Sequence, residues 1–152
     1  MNESEKKNYL FIDTSAWIGW YFERDIHHKK ARGIVRDIKA GRLQFAGLFT
    51  SDYILDELIT YAIYHYGHRD AMRVVDEIYS STSVEKLFVD KQTFENALIE
   101  IKKWERYKIS FTDCTTAILM RKRGISHIFC FDTDFDTMGF RTIPRPRKAS
   151  VL

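Results

Sequence analysis

The sequence predicts a single α/β domain built on a central, mainly parallel sheet of about five strands with helices on both faces. Three observations carry this reading. Short apolar runs of strand character alternate with longer helical patterns, the order expected of parallel strands joined by helical crossovers. Gly41, Gly67, Gly124 and Gly139 punctuate the segment ends, where glycine commonly stops a helix. At 152 residues the chain is long enough to bury a real core and short for two domains. Residues 1–152 are therefore read as one domain, with 143–152 a basic tail.

In chain order, the run Tyr9, Leu10, Phe11 and Ile12 predicts a strand over 9–13 that closes on Asp13. Thr14 and Ser15 are available to cap the helix that follows, over about 14–22. A second helix, 26–40, stops at Gly41, and a strand follows over 44–49. Ile54, Leu55, Leu58, Ile59, Ala62 and Ile63 form one stripe at helical spacing and predict a helix over 52–66. Gly67 separates it from another helix over 68–80. A strand at 85–89 and a helix at 91–107 come next, then a helix at 112–123 with Thr112 as its expected N-cap and Gly124 after its end. Ile128, Phe129, Cys130 and Phe131 predict a strand over 127–131. The last strand, 139–143, ends at Pro144.

Four acids stand where this architecture would bring them together. Asp13 and Asp132 each close an apolar strand, and in a parallel sheet ligands bind beyond the carboxyl ends of the strands. Asp113 lies in the first turn of its helix. Glu57 falls away from the middle of its helix's apolar stripe, on the side of Tyr53, Thr60, Tyr61 and Tyr64. Singly, each has an ordinary explanation: turns favour Asp, and an acid in a first helical turn complements the dipole. Together, Asp13, Glu57, Asp113 and Asp132 predict a carboxylate cage for a hard divalent cation.

A hydrophobic fraction of 45% and an aromatic fraction of 14% argue for a compact globular protein. The polar start, Met1 to Asn8, has no signal-peptide core, and no apolar run reaches membrane-span length. A cytoplasmic protein with no membrane association is the expectation. Cys114 and Cys130 read as reduced core residues. The net charge of +3 is small, but Arg121, Lys122 and Arg123 end one helix, and Arg141, Arg145, Arg147 and Lys148 populate the last strand and tail. Basic residues flanking an acidic pocket would suit a nucleic acid; cations at a helix C-terminus also complement its dipole.

Competing motifs fail. Asp132, Asp134 and Asp136 begin like a calcium loop, but the sixth and twelfth positions are Thr137 and Ile143. A haloacid-dehalogenase-like phosphatase would place a second aspartate where Ser15 stands. There is no phosphate-binding glycine loop or Walker lysine. His65 and His68 lack a third ligand, and His27 and His28 read as solvated.

The segments Phe11-Ile12-Asp13-Thr14-Ser15, Leu55-Asp56-Glu57-Leu58, Thr112-Asp113-Cys114 and Phe131-Asp132-Thr133-Asp134-Phe135, followed by Gly139-Phe140, resemble PIN-domain ribonucleases, in particular the VapC-type toxins of toxin–antitoxin pairs. The likeness covers nearly the whole chain. It implies a Mg²⁺- or Mn²⁺-dependent endoribonuclease whose ligands and catalytic groups are Asp13, Glu57, Asp113 and Asp132, with an RNA substrate and a small antitoxin covering the site. The chain departs from the pattern at Asp134, where the family commonly has a basic residue or His, and Asp136 adds another acid.

Phosphodiester hydrolysis agrees with an all-carboxylate set, because Mg²⁺ prefers oxygen ligands and keeps several waters. Asp13 and Asp113 are assigned as principal ligands, Glu57 and Asp132 as second-metal or water-mediated ligands and proton acceptors. Ser15 and Thr112 would orient water or phosphate. A PIN nuclease of RNA processing without an antitoxin, or a non-catalytic RNA-binding module, are the alternatives, and a homodimer is compatible with any of them. Trp17, Trp20, Tyr21 and Phe22 crowd one short helix, and some of these rings are expected to be exposed for an antitoxin segment.

Overall fold

The computed structural model describes residues 7–146. The predicted architecture is present: five strands, β1 (Tyr9–Ile12), β2 (Gly47–Ser51), β3 (Val84–Leu87), β4 (His127–Phe129) and β5 (Arg141–Ile143), form one sheet in the order β3-β2-β1-β4-β5. Every neighbouring pair is parallel. Among the described residues, no helix is long and apolar enough to cross a membrane. Arg147 and Lys148, the first six residues, and most of the expected tail lie outside the described residues.

Parallel pairing forces each connection to cross over the sheet, and such crossovers are right-handed. From β1 the chain steps to β2 and then β3 on one side, so α1 (Thr14–Tyr21), α2 (His28–Lys39), α3 (Asp52–Tyr66) and α4 (His68–Ser80) cover one face. It then returns past β1 to β4 and β5, which puts α5 (Lys91–Glu100), α6 (Phe111–Arg123) and the short α7 (Asp134–Thr137) on the other. Side chains agree: Ile12, Leu48, Val84 and Phe129 share a cavity wall with Trp20 and Tyr21 of α1 and Val35 and Ile38 of α2. On the opposite face, Arg123 of α6 lies over the Phe49 ring and pairs with Glu85 of β3.

Leu10, Phe11, Ile128 and Phe129 have no solvent exposure, as expected for central strands covered on both faces. Each such side chain stabilises the fold by about 1.5–3 kcal/mol. Cys114 and Cys130 are free, buried thiols, as anticipated.

Several boundaries differ from expectation. The second strand runs over 47–51 rather than 44–49 and takes in Thr50 and Ser51, whose polar groups are satisfied internally: Thr50 Oγ1 donates to Ile12 O at 3.1 Å, and Ser51 Oγ accepts the Ile54 N–H at 3.2 Å. The helix expected over 91–107 ends at Glu100 and continues as a 3-10 turn, Ile101–Trp104. The third strand starts one residue early, at Val84, and the last two strands are shorter than expected because the chain bends away from the sheet at Phe131 and enters β5 only after α7. All four boundary glycines have positive φ, from 67° at Gly124 to 93° at Gly139, a conformation other residues rarely adopt.

Strand order reverses between β1 and β4. Chains leaving these two strands diverge to opposite faces and open a crevice at their carboxyl ends, the usual ligand position of such sheets.

Candidate active site

Asp13 stands at the mouth of that crevice. β1 ends at Ile12, and Asp13 is itself the N-cap of α1, so the capping role expected of Thr14 or Ser15 falls to the acid. Its backbone is still tied to the sheet, with Asp13 N donating to Phe129 O at 3.0 Å. One carboxylate oxygen accepts the Ser15 N–H at 3.3 Å and the Ser15 hydroxyl at 2.9 Å. That hydroxyl also accepts the Phe131 N–H at 3.0 Å, so one serine fastens Asp13 to the end of β4. Behind it, Trp17 Nε1 donates to Thr50 Oγ1 at 3.1 Å and Thr50 donates to Ile12 O. This buried relay locks α1, β1 and β2 together one residue before the acid.

Asp113 is the third residue of α6. Its N-cap is Ser110, not Thr112: Ser110 Oγ accepts the Asp113 N–H at 3.0 Å, and Asp113 Oδ2 accepts the Ser110 N–H at 2.9 Å, a reciprocal capping box. The ordinary explanation of an acid in a first helical turn is thus realised, and it coexists with a place in the site. Asp132 follows the end of β4, and its Oδ1 accepts the Asp134 N–H at 3.2 Å, the turn that starts α7. Glu57 is exposed on α3, as its position on the helix predicts. It lines an open groove of about 470 Å³ with Asp56, Thr60, Tyr61, Tyr64, His65 and Thr112, the residue before Asp113. The groove joins α3 to the start of α6.

The charges of the four predicted acids act on one another. Asp13 is only 4% exposed; burial, then the charges of Asp132, Asp113 and Glu57, push its carboxyl up to about 8 against the opposing Ser15 hydrogen bond. Burial also lifts Asp113 to about 6, opposed by the Ser110 cap and helped by the charges of Asp132 and Asp134. Asp132 is raised as well, by desolvation first and then by Asp134 and Glu57. Asp134 therefore takes part in the acidic field. Among the described residues none of the four carboxylates is in an ion pair.

Among the described residues, Arg121, Lys122, Arg123 and Arg141 do not flank this site as expected. Arg121 pairs with Glu100 at 3.2 Å, Lys122 with Asp90 at 3.7 Å, and Arg123 with Glu85. They sit at the far end of α6 from Asp113, about 12–15 Å away along the helix. Arg141, paired in register with His127, is likewise at the amino edge of the sheet. Arg121 and Lys122 tie α6 to α5 and its N-cap, and Arg123 ties α6 to β3.

The donor set fits a hard dication: carboxylates only, one of them nearly buried and held in a like-charged field that a cation would relieve. The unpartnered buried hydroxyl of Thr14 adjoins it in sequence. Among the described residues no three His, Cys, Asp or Glu side chains close onto one point, so the four acids do not form the closed cage expected of them; an ion of the Mg²⁺ type can bind through one or two carboxylates and keep its waters. Sequence reasoning missed the Ser15 bridge and the Ser110 cap; the latter had a signal in the spacing Ser110-x-x-Asp113.

A parallel α/β domain with acids gathered at the switch point defines the class. A PIN-domain model matches residues 10–141, and the chain belongs to the PIN-domain family. It is 30% identical over 131 residues to the 23S rRNA-specific endonuclease VapC20 of Mycobacterium tuberculosis (strain CDC 1551 / Oshkosh), covering 86% of this chain and 95% of that protein. The crystal structure of Mycobacterium tuberculosis VapC20, a sarcin-ricin loop cleaving toxin, superposes with a TM-score of 0.78 at 29% identity over 86% of this chain and 95% of that one. VapBC-1 of nontypeable Haemophilus influenzae shares the fold at 14% identity, with a TM-score of 0.62 over 88% of this chain and 96% of that one.

Proposed function

We propose that the protein is a Mg²⁺- or Mn²⁺-dependent endoribonuclease that hydrolyses RNA phosphodiester bonds as the toxin of a toxin–antitoxin pair. The observation that carries this reading is Asp13: a nearly buried carboxylate at the strand-order switch, raised to about 8 by burial and three neighbouring acids. A fold does not keep such a group for stability, because repulsion among the acids opposes folding. A bound dication reverses that sign.

Asp13 and Asp113 would be the principal ligands of the ion, with Glu57 and Asp132 contributing through water. When bound, the ion supplies an activated water and neutralises charge developing on the phosphate. Ser15 fixes the Asp13 carboxylate, and the Ser110 cap fixes Asp113, which leaves each with an oxygen free of these bonds. Glu57 and Asp132, the more exposed pair, are available to accept the proton of the attacking water.

The likeness to an rRNA-specific endonuclease supports a structured RNA substrate. Likeness to VapBC assemblies supports an antitoxin partner. Of the three rings on α1 and that of Phe22, which caps its end, Trp17 and Phe22 are buried, whereas Trp20 and Tyr21 are half-buried. Those two rings line a cavity of about 510 Å³ with the apolar Val35, Ile38, Leu48 and Phe129 and the polar Lys39, Glu77 and three serines, which suits a docking segment of mixed character. The protein is expected to cut at least one member of a panel of structured RNAs, including an rRNA stem-loop, with Mg²⁺ or Mn²⁺ and to stop in EDTA. Undiminished cleavage in EDTA would overturn the metal mechanism; no cleavage with either metal would overturn the nuclease reading.

A further inference from the structure

Beyond Glu57, the outward side of α3 carries Tyr61, Tyr64 and His65. We infer that these rings form a stacking subsite for one unpaired nucleobase beside the scissile phosphate. The inference rests on the ribonuclease reading and specifies which part of an RNA the groove holds.

Residues 57, 61, 64 and 65 succeed one another at helical spacing along one side, so the rings begin about one turn beyond Glu57. Scattered exposed aromatics are ordinary; these are assembled. The Tyr61 and His65 ring centroids are 4.0 Å apart, and Tyr64 meets His65 edge-on at 5.0 Å. Tyr64 nevertheless remains 85% exposed. The next residue anchors the helix end: Tyr66 stacks on Phe22 at 3.9 Å, and Arg24 lies over Tyr66 while its Nη2 donates to His65 O at 3.4 Å. A half-open aromatic shelf is thus mounted on a fixed support.

Its lining selects the occupant. The groove holds Asp56 and Glu57 carboxylates, Thr60 and Thr112 hydroxyls and the three rings, with no lysine or arginine among its lining residues. Phosphates would be repelled there, whereas a base offers a neutral face to the rings and amino groups to the carboxylates. Because Glu57 and Thr112 border both groove and acidic site, a base seated here belongs to a nucleotide next to the reacting phosphate. A paired base has its faces covered by neighbours, so the occupant must be unpaired or splayed out.

The test uses the full chain and a short stem-loop RNA that wild type cleaves, with 2-aminopurine placed in turn at each loop position. One position should be quenched on binding. Tyr64→Ala should abolish that quench and raise KM about five- to hundredfold, the usual range for losing a stacked base, with kcat little changed. Tyr64→Phe, which keeps the ring, should restore both, and the retained kcat of Tyr64→Ala separates lost stacking from lost folding. An unchanged quench and KM in Tyr64→Ala, alongside normal wild-type cleavage, would overturn the subsite alone. A shift from dimer to monomer in sedimentation with the quench retained would assign the rings to a second copy instead. A wild type that neither cleaves nor binds any RNA would overturn the ribonuclease reading together with the subsite.

Discussion

Asp13 serves two roles that oppose each other energetically. As N-cap it satisfies donors at the start of α1; as a buried acid among acids its carboxyl is pushed from 3.8 to about 8. Below the unfolded-state value both folded and unfolded chains are protonated, and no penalty exists. As pH rises, the unfolded chain ionises first, so the metal-free fold loses stability progressively from about pH 4 to about pH 8 and carries the full penalty above that. Asn keeps the cap and cannot ionise. In EDTA, Asp13→Asn should therefore melt above wild type at pH 8, with the advantage shrinking toward pH 4, and should gain less from Mn²⁺. A melting difference independent of pH would contradict the electrostatic account. Thr50 supports the same corner without charge. Thr50→Val leaves the Trp17 indole N–H and the Ile12 carbonyl without this partner and should cost about 1–3 kcal/mol, read as a lower midpoint in urea, while Thr50→Ser should retain most of the stability.

α6 shows how an element positions chemistry. Its N-terminus is fastened by the Ser110–Asp113 box, so Ser110→Ala should destabilise the fold by about 1 kcal/mol and loosen Asp113. Thermal melts should show the loss, and cleavage should fall by more than stability explains; Ser110→Thr should rescue both. Strong periodicity made α3 and its exposed Glu57 legible in sequence, because the 3.6-residue repeat reports which face is buried. Other elements depended on contacts that sequence does not display. Thr50 and Ser51 look like strand terminators, yet both are buried in the strand: the Thr50 hydroxyl bonds across the sheet to Ile12 O, and the Ser51 hydroxyl caps α3 by accepting the Ile54 N–H. The helix from Lys91 tightens after Glu100, whose carboxylate turns inward to Trp104 Nε1 at 3.2 Å, Lys103 and Arg121. α7 has four residues, too few for a period.

For the whole molecule, the alternation of strands and helices was enough to predict a parallel sheet, and parallelism alone places every strand end on one edge. That is why Asp13 and Asp132 were identifiable before their surroundings were. The strand order was not legible, since nothing local states that β4 returns to pair with β1. Nor was the fate of Arg121, Lys122 and Arg123, whose carboxylate partners lie 21 to 38 residues distant in sequence: Arg121 from Glu100, Lys122 from Asp90, Arg123 from Glu85. The fold thus uses these cations to join α6 to α5 and to β3 and leaves the switch-point acids without ion pairs among the described residues. This charge separation is the basis of the metal-dependent reading, and one titration tests it most directly: the initial rate of RNA cleavage against free Mn²⁺, for wild type and Asp13→Asn at one pH. Wild type should be inactive in EDTA and rise to saturation with Mn²⁺. Asp13→Asn should stay lower by at least about a hundredfold at saturation, since loss of a metal ligand removes several kcal/mol of transition-state stabilisation. Equal saturating rates for the two proteins, or full wild-type cleavage in EDTA, would contradict the account.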